Sequence, residues 1–247
     1  MRASAIEFRL RLAIITALIA VGFWSPWIEA WGVGERRSVL AWLALELTRM
    51  GVAPFRASAA VAIVAGTLVA ALAVVLRVWG TAYLGAFTVN HLQMKAGGVV
   101  ADGPYRLVRN PLYLGTWMMA AAMAFAMPPT GALLTLALLA VFLLRLILAE
   151  EAFLQEKLGE PYAAYLKSVP RLIPRLRSTV AHGGTRPQWG HAVLAEVNAI
   201  GVLVALGGFS WSYNNWRIVQ VILVGFGLSL VMRAVQTRDR DQVSGSQ

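Results

Sequence analysis

Three groups of residues carry polar chemistry in surroundings that are otherwise apolar. The first is Arg145 followed by Glu150-Glu151, at the polar end of an apolar run. An ionisable group in such a place is costly and marks function by default. A carboxylate there could hold ribose hydroxyls or an amino group of a cofactor. The planar fork of Arg145 suits a carboxylate or a phosphate. The alternative is structural: arginine and glutamates snorkel to an interface, or pair with Arg106 or Arg109. The second group is the segment Gly103-Pro104-Tyr105-Arg106-Leu107-Val108-Arg109-Asn110-Pro111-Leu112-Tyr113-Leu114-Gly115. Its two prolines remove backbone donors and push the preceding residues toward extended conformations. Gly103 can supply a positive φ, and Pro111 suits the first turn of a following helix. The residues specify a rigid loop feeding a helix, either a ligand site or a well-made interfacial connector. The third group is Asn90, His91 and Gln93 ahead of Gly97-Gly98, with His91 a candidate base or part of a solvated loop.

The elements that position these groups are membrane helices. Hydrophobic residues make up 58% of the 247 and charged residues 14%, against roughly 25% charged in soluble domains. The absence of Cys excludes disulfides and thiolate metal sites. His91, His182 and His191 match no metal-ligand spacing. The net charge of +10 invites a nucleic-acid reading, but the basic residues sit between apolar spans, so charge bias across membrane loops accounts for it. Gly97-Gly98 is no dinucleotide fingerprint, because GxGxxG and a βαβ context are both missing.

Six spans are expected, about 11–31, 57–76, 112–127, 131–148, 191–209 and 216–232. The piece Val39 to Leu47 is too short to cross and is expected in the interface. Pro128-Pro129 makes spans three and four a tight hairpin. Span four is expected to continue as an amphipathic helix that breaks near Gly159-Glu160-Pro161. With the N-terminus inside, all of the 22 Lys and Arg residues face inward except Arg36, Arg37, Arg49, Arg56 and Arg217. This orientation places the Gly103–Gly115 loop and Glu150-Glu151 on the same cytoplasmic side. Each ends one arm of the hairpin.

Gly103-Pro104-Tyr105, then Val108-Arg109-Asn110-Pro111-Leu112-Tyr113-Leu114-Gly115, resembles the GPY…VRHPxYxG signature of a family of integral-membrane methyltransferases. The family includes isoprenylcysteine carboxyl methyltransferase and the phosphatidylethanolamine N-methyltransferases. Arg145, Glu150-Glu151, Leu154, Gly159, Tyr162, Tyr165, Val169-Pro170-Arg171 and Ile173-Pro174 resemble its second motif. The resemblance covers about residues 57–176. It divides the chain into an N-terminal span and interfacial segment (1–56), a methyltransferase-like core (57–176), a linker (177–190), and two further spans with a polar tail (191–247).

The resemblance implies an all-α membrane enzyme with a cytoplasmic pocket for S-adenosylmethionine and a lipid-like or prenylated acceptor arriving from the bilayer. Such an enzyme would sit in the inner or plasma membrane of a bacterium, or in the endoplasmic reticulum of a eukaryote. The implied cofactor-binding positions are Asn90, Gly97, Gly98, Val99, Val100, Tyr105, Arg109, Asn110, Pro111, Leu112, Tyr113, Glu150 and Glu151. Arg145 and Glu150 take the catalytic roles, Arg145 toward an acceptor carboxylate. Asn110 stands where the signature usually has His, and Asn hydrogen-bonds without titrating. A sulfonium could rest on Tyr105 or Tyr113 by cation–π contact. A carboxylate or amine acceptor is expected over an alcohol, which would want a general base. The rival readings are an NADPH-dependent sterol-type reductase, with Arg106 and Arg109 holding a 2′-phosphate, and a membrane protein that keeps the fold without turnover.

Overall fold

The computed structural model describes residues 2–24, 37–85 and 101–209, with a few positions between 211 and 227. Every regular element among the described residues is helical. The chain opens with α1 (Ala5–Arg9) and α2 (Arg11–Phe23), then α3 (Val39–Arg49) and α4 (Phe55–Leu84). A 3₁₀ turn at Gly103–Arg106 precedes α5 (Pro111–Ala124), α6 (Pro129–Leu158) and α7 (Glu160–Ser168). Last come α8 (Trp189–Ala195) and α9 (Val197–Val204), which runs into a π-helical turn at Ala205–Phe209.

Two of these helices are long and apolar enough to cross a membrane, α4 and α6, each of 30 residues. Helices α8 and α9 pass that test only together, as one span bent by 64°. Helices α2 and α5, with 13 and 14 residues, fall short of the roughly 20 that a span takes. The described residues therefore hold two long apolar helices, or three counting the bent pair, where six spans are expected; most of 216–232 and all of 25–36 lie outside the described residues. The shortness of α5 has a local cause. Phe125, Ala126 and Met127 donate to Ala122, Met123 and Ala124, so the last turn tightens into i→i+3 bonds before Pro128-Pro129 turns the chain.

That tight end is capped by another helix. The N–H groups of Val39 and Leu40 donate to the carbonyls of Met127 and Phe125, at 2.8 and 2.9 Å. The free donors at the start of α3 thus satisfy the free acceptors at the end of α5, and opposite ends of two helix dipoles meet. Val39 to Leu47 is accordingly a docked helix, packed on α4 and touching α6.

Helix α4 meets α5 across small residues. Ala59, Ala62, Gly66, Ala70, Ala73 and Gly80 are buried along one stripe of α4. Gly66 faces the Phe125 ring, and Gly80 faces Leu112. Small side chains let apolar helices approach closely where lipid offers no hydrophobic drive for association. The opposite face of α4 exposes Val61, Val64, Leu68, Leu72 and Val75, as expected of a surface that meets acyl chains. Phe8, Ile14, Ile15 and Leu18 from α1 and α2 pack on a second cluster around Leu139, Phe142, Leu143 and Leu146 of α6.

One ion pair ties the bent helices to this core. Arg77 of α4 donates to both Glu196 oxygens, at 2.6 and 3.1 Å, and Thr81 donates to Glu196 Oε1 at 2.8 Å. Glu196 is the residue between α8 and α9, and it is buried. Gly115 of α5 leaves room for the Arg77 stem, since a Cβ there would come within 2.5 Å of Arg77 Cγ. Removing one member of a buried pair strands the other. Glu196→Ala is expected to lower unfolding stability by about 3 kcal/mol or more. Arg77→Met/Glu196→Leu, which removes both charges, should cost less. Thermal unfolding of the purified protein in detergent measures both; equal losses would contradict the coupling.

Candidate functional site

The Gly103–Gly115 loop folds as its residues demand. Gly103 has φ 55° and lies so close to the Tyr83 ring that a Cβ would overlap it. Pro104 and Tyr105 are buried in the 3₁₀ turn, and Pro104 O accepts from the N–H groups of Leu107 and Val108. Pro111 occupies the first turn of α5.

The segment after α7 clamps this loop. Arg109 N donates to Pro170 O at 2.9 Å, and Arg175 N donates to Leu107 O at 3.0 Å. Tyr165 OH donates to Tyr105 O at 2.8 Å. These bonds join residues sixty or more apart in sequence, so the two motifs are one interlocked unit.

Glu151 sits at the centre of the lock and is 6% exposed. Arg171 donates to its Oε2 through Nε at 3.0 Å and through a terminal nitrogen at 2.8 Å. Asn110 Nδ2 donates to Glu151 Oε1 and to Arg171 O, each at 3.2 Å. Arg109 faces the same carboxylate at 3.4 Å. The bond to Glu151 raises the Arg171 pKa further above its ordinary value. Asn110 suits this place because its amide offers two donors, and both are used.

Glu150 points elsewhere, since adjacent helical residues diverge by about 100°. Its Oε2 accepts the Tyr113 hydroxyl at 2.7 Å. The Tyr105 hydroxyl, within reach of the Glu150 charge, and Arg109 Nε are buried and have no hydrogen-bond partner among the described residues. Burial, and next the charge of Glu150, push the Tyr105 phenol well above its usual range, so it stays a neutral donor. Buried donors without partners are rare and costly, and among the described residues nothing supplies an acceptor for these two.

A strap, residues 177–188, closes over the start of the loop. Arg106 donates to Val180 O at 2.8 and 3.0 Å. Asp102, 1% exposed, accepts the N–H groups of Gly183 and Thr185 at 2.7 and 2.8 Å and faces His182 Nδ1 at 3.2 Å. Gln188 N donates to Ala82 O.

Of the residues singled out from sequence, the structure brings together Tyr105, Arg109, Asn110, Pro111, Leu112, Tyr113, Glu150 and Glu151. Leu112 contributes its carbonyl to Thr116 and its side chain to the surface of Gly80. Asn90, His91, Gly97, Gly98, Val99 and Val100 lie outside the described residues. Arg145 does not join the group: its guanidinium grips both oxygens of Glu7 at 2.8 Å. Glu7, with that arginine and the Ser4 cap, has its pKa lowered to about 2 by the Ser4 backbone bond and then by Arg145. Asp102, Arg77 and Glu196 escaped the sequence reading as participants, and Arg171 entered it only as part of the second motif. Glu196 did carry a signal, being an acid inside an apolar run.

The described residues form a helical bundle with a polar, interlocked loop at the base of a helical hairpin, and its long apolar helices are those of an integral membrane protein. Residues 61–161 match the family model described as phospholipid methyltransferase. Over this segment the chain is similar to that family, in line with the resemblance carried by the two motifs. No curated protein and no solved structure gives a significant match.

Burial raises the Asp102 pKa, but the Thr185 and Gly183 bonds and the His182 charge outweigh it, and the net direction is down. A carboxyl with a depressed folded pKa contributes stability above its unfolded value, about 3.9, and loses it as pH falls toward the folded value. Protection of the Gly183 and Thr185 amides from hydrogen exchange should therefore hold at neutral pH and fall below about pH 4. In Asp102→Asn it should be weak throughout. Protection in wild type that persists unchanged to pH 2 would contradict the assignment.

Proposed function

We propose that this protein is an enzyme that transfers a methyl group from S-adenosylmethionine to a lipid-like acceptor at the membrane surface. The observation that carries this reading is the buried, unpartnered Tyr105 hydroxyl beside the Tyr113–Glu150 pair, within the segment that matches the methyltransferase family. The donor set fits such a cofactor. A phenol and a guanidinium N–H seek an acceptor such as a carboxylate or ring nitrogen, and Glu150 can accept hydroxyl or amino groups. S-adenosylmethionine, when bound, supplies an electrophilic methyl group on a sulfonium.

Methyl transfer needs alignment more than covalent help, so the task of the chain is positioning. Tyr105 and Glu150 hold the cofactor, with Tyr113 orienting the carboxylate. Asn90, Gly97, Gly98, Val99 and Val100, which lie outside the described residues, join this set on the strength of the motif resemblance alone. Glu151, neutralised by Arg171 and Arg109, keeps the loop in shape and does not take part as a base. Arg145, its fork filled by Glu7, is a positioning residue for the N-terminal helices. A carboxylate or amine acceptor brings its own lone pair and suits this site better than an alcohol. Six spans, with the site on the cytoplasmic side, fit the charge distribution of the sequence.

Calorimetric titration separates this reading from its rivals. S-adenosylhomocysteine should bind, and NADPH should not; no binding of the first would overturn the proposal, and NADPH binding alone would favour a reductase. Glu150→Gln should weaken S-adenosylhomocysteine by roughly 10- to 100-fold, the range for a charge-assisted hydrogen bond. Tyr105→Phe is the sharper variant. It removes an unsatisfied buried hydroxyl, so the ligand-free protein should be as stable as wild type or more so. Its affinity for S-adenosylhomocysteine should nevertheless fall about tenfold. Unchanged affinity would remove Tyr105 from the cofactor site.

A further inference from the structure

The stretch Ile173-Pro174-Arg175-Leu176-Arg177 is the most exposed apolar feature of the polar end. All five residues are exposed, Ile173 to 82% and Leu176 fully. Two aliphatic side chains standing free between arginines are not a packing surface within the chain. Nor is the segment loose. Arg175 N is bonded to Leu107 O, its guanidinium donates to Ser168 O at 2.9 Å, and Arg109 N holds Pro170 O just upstream. The exposed residues are presented on a backbone fastened directly to the candidate site.

Their depth follows from α6. At about 1.5 Å per residue, the stretch from Pro129 to Glu151 is about 33 Å long, close to the ~30 Å hydrocarbon thickness of a bilayer. Arg171 bonds Glu151, so this segment leaves the protein near the level where α6 leaves the hydrocarbon. An exposed Leu and Ile at that level meet the boundary of headgroups and acyl chains. The flanking charges select the lipid. Arg171 is neutralised by Glu151, whereas Arg175 and Arg177 face no carboxylate among the ion pairs of the described residues. Basic residues at that depth are drawn to anionic lipids.

The geometry points to a membrane-docking loop: Ile173 and Leu176 insert at the surface of the leaflet, and Arg175 and Arg177 bind anionic phospholipid headgroups. The occupant is the lipid surface itself. The inference stands apart from the methyl-transfer reading, because it concerns the loop and not the cofactor. It has a functional consequence all the same. The loop's backbone bonds to Leu107 and Arg109 connect lipid composition to the shape of the site.

The chain has no cysteine, so Leu176→Cys creates a single labelling position on a side chain that packs against nothing. The variant, carrying an environment-sensitive fluorophore, is reconstituted in vesicles of phosphatidylcholine alone or with phosphatidylglycerol. With phosphatidylglycerol the emission should shift to the blue, spin-labelled lipid should quench it, and aqueous iodide should not. In phosphatidylcholine alone the label should be open to iodide. Adding Arg177→Gln should lower the inserted-to-aqueous ratio in anionic vesicles about fivefold, as expected for one basic residue at the surface, and salt should act in the same direction. A label open to iodide in both vesicles would overturn the proposal. A label shielded from iodide equally in both would also overturn it: quenching by spin-labelled lipid in both would mean insertion without selection by headgroup charge, and no such quenching would mean that another protein segment covers the loop.

Discussion

Glu151 is a carboxylate almost shut off from solvent, and the polar end of the bundle is built around neutralising it. A lone buried charge would be ruinous. Here Arg171, Arg109 and Asn110 converge on it. Arg171 comes from the segment after α7, the adjacent Arg109 and Asn110 from the signature loop, and Glu151 itself stands on α6. Satisfying one charge therefore fixes three pieces of chain at once. The loop can then present Tyr105 in a set position, with a hydroxyl that none of the described residues satisfies. The rigidity that the prolines begin locally is completed by this carboxylate.

The other buried carboxylates work by the same rule at other joints. Asp102 holds the strap through two backbone amides, and Glu196 holds the bent helices through Arg77 and Thr81. Glu7, more exposed, holds the N-terminal helix to α6 through Arg145. In a chain with so apolar an exterior, helix association gains little from hydrophobicity against lipid. Specific polar joints and small-residue contacts supply orientation instead. Glu150 is joined instead to the Tyr113 hydroxyl, on the side of the helix turned away from Glu151 and its arginines.

Adjacent glutamates illustrate how helix geometry divides labour. Glu150 and Glu151 are indistinguishable as sequence. One turns toward Tyr113 and the other toward Arg171. Arg145 invites a role near them, but its place on the helix directs it to Glu7. The same logic makes Asn110 intelligible. Its two amide protons serve Glu151 and the Arg171 carbonyl, a job that needs donors and no titration.

The sequence by itself determined the helical class, the hairpin around Pro128-Pro129, the break at Gly159 and the rigid loop. These follow from apolar runs, prolines and glycines whose preferences are local. It also determined that the two motifs belong together, because they flank one hairpin. Only the tertiary structure decided which charges meet. The Arg145–Glu7 pair spans residues 138 apart, and the Arg77–Glu196 pair residues 119 apart. Such pairings leave no trace in local spacing. The true length of α5, the docking of α3 on its end, and the unpaired Tyr105 hydroxyl likewise depend on where other helices stop. Local propensity sets what each segment can be. The accounting of buried donors and acceptors, which is global, sets what each side chain does.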